Sequence, residues 1–348
     1  MPQPTLSDVH VDRPLTNISV AFLQNAANFI ATRVFPNIPV QKRSDKYFTF
    51  PRGIFNRNGM RKRAPGTESA GSGWAVTTDD YSADVFALHH DVSDQIRANA
   101  DEPLNLDREA TAFLTQQAAI SREKDFVTNF FTDSAPGGTW TFMADGVASG
   151  ATAAASFDPT NDSNNDVLQW NDAASNPIED VALGKQYILQ KTGFEANKLV
   201  MGFPVWTQLK NHPDVIDRIK YSGGVGPSRP AIVTAEAVAA LFEVDEVLVM
   251  KAIENTSDET AAGTETNSFI GGKHALLCYA APSPGLMTPS AGYTFSWAGF
   301  LGAGPEGNRI KRFRMEALAS DRVEIEMAFA MKRVSEDLGF FWGNITAP

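Results

Sequence analysis

Few residues in this chain have the type and spacing that chemistry needs. Gly302, Gly304 and Gly307 match GxGxxG to the letter. A dinucleotide loop of that form needs a helix to begin there, so that its N-terminus faces the pyrophosphate. Pro305 sits inside the match and a strand-like stretch over 309–313 follows, so the spacing predicts a hairpin turn. His89-His90-Asp91 offers two imidazoles and a carboxylate, but neighbours on a strand point to opposite faces and cannot chelate one ion. Asp162, Asn164 and Asp166 imitate the first ligands of a calcium loop. Val167 stands where that loop needs glycine, and Ala173 where it needs its last carboxylate. Cys278 is the only cysteine, which excludes an internal disulfide framework, a cysteine zinc site and a CxxC redox pair. There is no GxxxxGK[ST], HExxH or GxSxG, and a carboxylate pair such as Asp101-Glu102 is too generic to assign to catalysis. The expectation is a protein without metal, without cofactor and without catalytic residues, an α/β enzyme being the distant alternative.

Charge is the more informative signal. Residues 41–65 carry Lys42, Arg43, Lys46, Arg52, Arg57, Arg61, Lys62 and Arg63 against one acid, Asp45, a net +7. The whole chain is at −11, so the remainder is at −18. That balance argues against a general nucleic-acid binder. Tyr47, Phe48, Phe50 and Phe55 are interleaved with the positive charge, turns are marked by Pro51, Gly53 and Asn58-Gly59, and 66–73 is small and polar. The pattern predicts a long two-stranded projection that returns near Trp74, and such a hairpin is not stable without a surface to lie against. Three uses fit it: a solvated loop, a grip on nucleic-acid phosphates and bases, or a contact with the acidic body of a second copy.

The elements that must position this projection follow from periodicity. With 348 residues, 43% of them hydrophobic, the chain has room for about two domains of roughly 150 residues. Val20, Leu23, Ala27, Ile30 and Val34 fall at helical spacing and predict an amphipathic N-terminal arm that must cover its stripe on another surface. A 106–131 helix, capped by Asn105 or Asp107, is uninterrupted by Gly or Pro and on the order of 39 Å long, with Phe113, Ala119 or Ile120, Phe126 or Val127, and Phe130 on its apolar side. Residues 135–172 read as a small-residue surface insertion. From 177 to 280 helices (178–191, 205–220 broken at Pro213, 236–242) alternate with strands (198–201, 245–252, 275–279). Val323, Ile325, Met327, Phe329 and Met331 form a period-two face opposite Arg322, Glu324 and Glu326, a long half-buried strand paired with 310–318. No signal-peptide pattern or spanning apolar run is present, so an intracellular, non-membrane chain is expected.

The order of these parts resembles the major capsid proteins of tailed bacteriophages, the Hong Kong 97-type shell fold. The resemblance rests on Val34-Phe35-Pro36-Asn37-Ile38-Pro39-Val40, then Ser44-Asp45-Lys46-Tyr47 leading to Phe50, then the strand, long helix, middle and closing strand. Within the middle, Lys191-Thr192-Gly193-Phe194 through Asn197 to Gly202, Val205-Trp206, His212-Pro213, Leu241-Phe242-Glu243-Val244 and Gly272-Lys273-His274 are similar to that family's central domain.

The resemblance implies an α+β fold divided into an N-terminal arm (1–40), an extended loop (41–74), and a peripheral domain (75–165 with 305–335) built on the 106–131 spine helix. An axial domain (166–304) and a C-terminal tail (336–348) complete it. It also implies a structural protein whose copies form hexamers and pentamers of an icosahedral shell around packaged double-stranded DNA, assembled in the bacterial host cytoplasm. A separate scaffolding protein and a portal are the partners so implied, with the presence of a decoration protein left open; DNA is enclosed without sequence recognition. An encapsulin-like nanocompartment shell is the alternative within the same fold. Contacts between copies are expected from the eight basic loop residues and from Val20, Leu23 and Ile30, against an acidic surface of Asp101, Glu102, Asp107, Glu109, Glu123 and Asp125.

Overall fold

The computed structural model describes residues 23–50, 52–100, 104–132, 140–148, 157–160, 165–222, 232–257, 265–285, 287–301 and 308–347. Two sheets and one long helix organise them. The first sheet contains β1 (Asn37–Val40), β4 (Asp84–Ser93), β12 (Gly292–Trp297), β13 (Asn308–Met315) and β14 (Ser320–Arg333). β14 is its axis, pairing antiparallel with β4 along one side and with β13 and then β12 along the other, while β1 adds parallel to β12. The second sheet runs β6 (Asp166–Leu168), β5 (Phe142–Val147), β15 (Gly339–Gly343), β11 (Ala275–Cys278), β7 (Lys198–Gly202) and β8 (Glu246–Met250). Helices α5 (Pro177–Thr192), α6 (Phe203–Leu209), α7 (Pro213–Ser222) and α8 (Ala235–Phe242) accompany it. Two hairpins, β2 (Ser44–Thr49) with β3 (Thr77–Ser82) and β9 (Ile253–Asn255) with β10 (Asn267–Phe269), and short helices α1 (Ala31–Val34), α2 (Arg52–Phe55), α3 (Asp94–Asn99) and α9 (Ala298–Leu301) complete the described chain.

The long helix α4 (Leu106–Phe130) begins at Asn105, whose side-chain oxygen accepts the Arg108 N–H at 3.1 Å, and Asp107 and Glu109 complement the positive end of its dipole. Its buried stripe is Ala110, Leu114, Ala118, Phe126 and Phe130, laid on the Val323, Ile325, Met327 and Phe329 face of β14. The stripe is turned from the expected one: Phe113 is 48% exposed. Small residues at 110 and 118 let the helix lie close to the sheet, which favours their face over the one Phe113 would offer. The period-two face of β14 forms as expected. Glu326 on the opposite face is also mostly covered, by Arg309 and Lys311, each 2.7 Å away.

The expected helices and strands of the middle all form, and α5 ends on Gly193, whose φ of 81° suits glycine. The division into regions differs from expectation. Gly339–Gly343, expected in a tail, lies inside the second sheet between β5 and β11, with Phe340, Phe341 and Trp342 all buried. The region expected to be a surface insertion supplies β5, β6, and the buried Trp140 and Trp170 to that same sheet. Gly292–Trp297, expected in the axial domain, belongs to the first sheet. The cause is common to the three: short strands flanked by small or charged residues carry too little periodicity to be placed, and only sheet pairing decides their owner. Trp342 fits because Gly184 of α5 faces it; a Cβ there would come within 3.0 Å of the indole.

Candidate assembly surface

The β2–β3 hairpin projects from the first sheet and has two distinct parts. Its root is fastened. Tyr81 stacks on Phe295 at 4.6 Å between ring centroids and Tyr47 on the same ring at 5.7 Å. The Tyr47 hydroxyl donates to Asp79 at 2.7 Å, and Lys332 of β14 reaches the other Asp79 oxygen at 3.1 Å. Burial alone would raise the Asp79 carboxyl; the hydrogen bonds from Tyr47, the Asp80 backbone and Lys332 outweigh it and hold the group below its usual range. Beyond the root, every residue over 55–78 is exposed, including the large apolar side chains Phe55, Met60, Trp74 and Val76, with Phe48 of β2 exposed as well.

The eight basic residues all lie on this projection or at its root. Lys42 pairs with Asp45 at 3.1 Å, and Arg43 donates to the Ala83 carbonyl at 3.1 Å and reaches Asp84 at 3.5 Å. Lys46 is exposed on β2, Arg52 opens α2, and Arg57, Arg61 and Lys62 are exposed beyond it. Arg63 donates to the Thr67 carbonyl within the loop. The aromatic interleaving is legible in the sequence. Met60, Trp74 and Val76 stand outside that pattern, although a tryptophan in a small polar run is itself a signal of a surface awaiting a partner.

The N-terminal segment departs from the expected helix. Asn25 caps a single 3-10 turn over Ala26–Asn28, and α1 is one turn long. Val20 lies outside the described residues and Leu23 is 54% exposed, but Ile30, Ala31, Val34 and Phe35 are buried in this chain's own core, with Phe35 4.7 Å from Phe130. Ile30 is therefore covered within its own chain. The reason is hydrogen bonding: the Ile30 and Ala31 N–H groups, without partners in so short a helix, donate to the Glu123 carboxylate of α4 at 3.1 and 2.9 Å. On the other side Lys198 of β7 donates to the Val34 carbonyl at 3.0 Å, and Arg33 pairs with Glu246 of β8. The segment is a strap joining α4 to the second sheet.

Of the six acids expected on a contact surface, one is withdrawn into the core. Glu123 is fully buried, and burial pushes its carboxyl up to about 7 against the lowering effect of the Ala31 and Ile30 N–H bonds. Asp107 is held by Arg97 at 2.8 Å and Arg312 at 2.9 Å. Together with Asp321, whose carboxyl Arg312 and Arg97 hold down at about 2, it closes an ion-pair network within the chain. Asp125 is half-buried and raised by desolvation. Glu109 is exposed on α4; Asp101 and Glu102 lie outside the described residues. Asp107, Glu109, Glu123 and Asp125 share one helix, and the 3.6-residue period scatters them around it.

His89 and His90 stand on β4 as expected, consecutive on a strand. Gly302, Gly304, Gly307, Asp162 and Asn164 lie outside the described residues. Among the described residues no group of three or more His, Cys, Asp or Glu could hold a metal ion, and no helix is long and apolar enough to cross a membrane.

Known proteins share this architecture. No family profile matches the chain. It is 25% identical to the major capsid protein of Burkholderia phage BcepMu over 96% of each chain. Among solved structures it is similar to a phage-related protein from Bordetella bronchiseptica (TM-score 0.64, 20% identity, 93% of this chain and 95% of that one). It is similar also to the mature capsid of bacteriophage PhiM1 (0.58, 13%, 98% and 94%). An encapsulin of Synechococcus elongatus matches with a TM-score of 0.52 at 11% identity over 96% and 95%. The fold is the Hong Kong 97-type shell fold of phage capsid proteins, an α+β architecture as expected.

Proposed function

We propose that this chain is the major capsid protein of a tailed phage. Many copies, arranged as hexamers and pentamers, tile an icosahedral head around packaged double-stranded DNA. The observation that carries the reading is a hairpin fastened at its root and exposed throughout its tip, on a chain that matches a phage major capsid protein along 96% of its length. The work of such a protein is assembly. Basic and apolar side chains of one hairpin cover a neighbour, and the net +7 of the loop segment attracts the net −18 of the rest of another copy. An exposed ion pair contributes only about 0–1 kcal/mol, so specificity comes from repetition around the shell and from burial of Phe55, Met60 and Trp74. An acidic body also suits a container, since a lining that gripped phosphates would hinder DNA entry and release.

Assembly in the bacterial cytoplasm on a separate scaffolding protein, with a portal added, belongs to the same proposal. The encapsulin reading shares the fold, but the relative matched at 25% identity is a phage capsid protein, and that favours the phage reading. Electron microscopy of the protein expressed with and without its scaffolding partner tests the proposal. Closed icosahedral shells are expected; a small, defined oligomer with enzymatic turnover would overturn it.

A further inference from the structure

Strand β4 is an edge. Among the described residues it pairs with β14 along one side and with no strand along the other, so alternate N–H and C=O groups over Asp84–Ser93 face outward without a strand partner. Val85 and Leu88 are exposed on it. Asp84, Phe86 and Leu88 form the face turned to α4, because they lie opposite Phe329, Met327 and Ile325, the stripe of β14 that α4 covers. Phe86 also lines a groove between α4 and the β9–β10 hairpin, with Ile120, Lys124 and Asp125 on the helix and Ile253 and Glu254 on the hairpin. The groove is acidic by one charge. Lys124 meets Glu254 at 2.6 Å, and Asp125 is left without a lysine or arginine partner among the described residues. Burial raises the Asp125 carboxyl against the lowering effect of Asn129, and the charge of Asp84 adds to the rise. Asp84 itself is met only by Arg43, at 3.5 Å, among the described residues.

Edge and groove together fit an extended segment that brings an apolar cover for Phe86 and a positive charge for Asp84 and Asp125. The tip of the β2–β3 hairpin has that chemistry. Residues 58–64 form no helix or strand and all are exposed, Met60 at 90%, so this segment has no cover on its own subunit. In extended chain, Asn58, Met60 and Lys62 share one side, and alternate residues stand about 7 Å apart. Leu88, Phe86 and Asp84 have the same spacing and share one face of β4. Antiparallel pairing therefore sets Asn58 opposite Leu88, Met60 opposite Phe86 and Lys62 opposite Asp84, apolar on apolar and base on acid.

We propose that residues 58–62 of one copy add as an antiparallel strand to the open edge of β4 in a second copy, with Met60 over Phe86 and Lys62 between Asp84 and Asp125. The inference rests on the assembly of copies proposed above and names the surface that receives the hairpin.

The full chain carrying Asn58→Cys and Leu88→Cys is assembled under reducing conditions and then oxidised; Cys278 is fully buried and stays out of the reaction. Opposed residues of an antiparallel pair bring their Cβ atoms to about 4.5–5.5 Å, which a small adjustment closes to a disulfide. A ladder of covalently joined chains on a denaturing gel is expected. Asn58→Cys with Ala87→Cys, whose side chain stands on the opposite face of β4, should give at most a trace. Closed shells without the ladder, equal ladders from the two pairs, or a bond within one chain would overturn this inference and leave the capsid reading standing. Absence of shells from the parent chain would overturn both. Should the double-Cys chain fail to assemble, a charge exchange decides. Lys62→Glu is expected to raise the subunit concentration needed for assembly about twofold to fivefold, and Asp84→Lys in the same chain to restore it. No loss, or a loss that the second change does not restore, would overturn the inference.

Discussion

Replacing Glu123 by Gln changes the charge and little of the shape where α4 holds the N-terminal strap. The carboxyl accepts the Ile30 and Ala31 N–H groups, is fully buried, and is pushed by burial from 4.5 to about 7. Between these two values the folded chain keeps a proton that the unfolded chain has released. Stability therefore falls as pH rises through this window and is level above and below it. A shift of this size corresponds to on the order of 3 kcal/mol. Glutamine cannot titrate. Both N–H groups donate to the same oxygen, Oε2, so the single carboxamide oxygen of glutamine can accept both at every pH. Urea unfolding of the unassembled subunit, followed by the fluorescence of the buried Trp140, Trp170 and Trp342, measures both chains across the window. The two chains should be nearly equal in stability near pH 5, and the variant the more stable near pH 8, where only the parent chain has lost stability. Parallel pH dependences for the two proteins would refute the assignment of Glu123 as a buried titrating anchor.

Three further outcomes are expected. Reversing Arg61, Lys62 and Arg63 together to Glu should abolish shell formation, scored by sedimentation without DNA, while the subunit's melting temperature barely moves; normal empty shells would refute the contact between copies. Trp342→Ala should cost about 3–5 kcal/mol in unfolding free energy, because the side chain is fully buried in the middle of the second sheet. Ile30→Ala should cost about 2–5 kcal/mol in the unassembled subunit, where an arm docked only on a neighbour would show no change.

Long, strongly periodic elements are legible in the amino-acid order alone. The α4 helix has a cap, acids in its first turn and no breaker, and the β14 alternation is clean over five apolar positions, so both stand within a few residues of expectation. The rotation of α4 is not legible, since Phe113 and Leu114 are equally apolar and only the sheet beneath chooses between their faces. The membership of β15 is hidden for a different reason. Five residues, Gly-Phe-Phe-Trp-Gly, are buried on both faces and so show no alternation at all. The strap misleads because Leu23, Ala27 and Ile30 have helical spacing while the chain needs only three residues of 3-10 turn and four of α-helix there. Glu123 reads as a surface residue because charged residues seldom lie buried; its burial is explained by two backbone donors that a sequence does not place. The basic projection is legible because charge density survives whatever conformation the loop adopts.

The same hairpin separates folding from assembly, and salt should expose the separation. Its root is held by the Tyr47, Tyr81 and Phe295 rings and the bonds to Asp79, so it stays attached to its own subunit. Its tip lies in water over 55–78, so what it contributes there counts only when a second copy covers it. Two kinds of side chain would then respond oppositely. Attraction between Arg57, Arg61, Lys62 or Arg63 and an acidic neighbour is screened beyond about 8–10 Å at physiological ionic strength and to about 3 Å at 1 M. Burial of Phe55, Met60 and Trp74 is not screened, and sulfate strengthens it. Sodium chloride should therefore slow assembly, which depends on long-range encounter, far more than it dissolves shells already closed, while ammonium sulfate at equal ionic strength should slow it less. Light scattering during assembly and sedimentation of finished shells measure the two quantities separately. If chloride dissolved finished shells as readily as it slowed their formation, the contact would be chiefly ionic and the exposed aromatic residues of the tip would have no part in it.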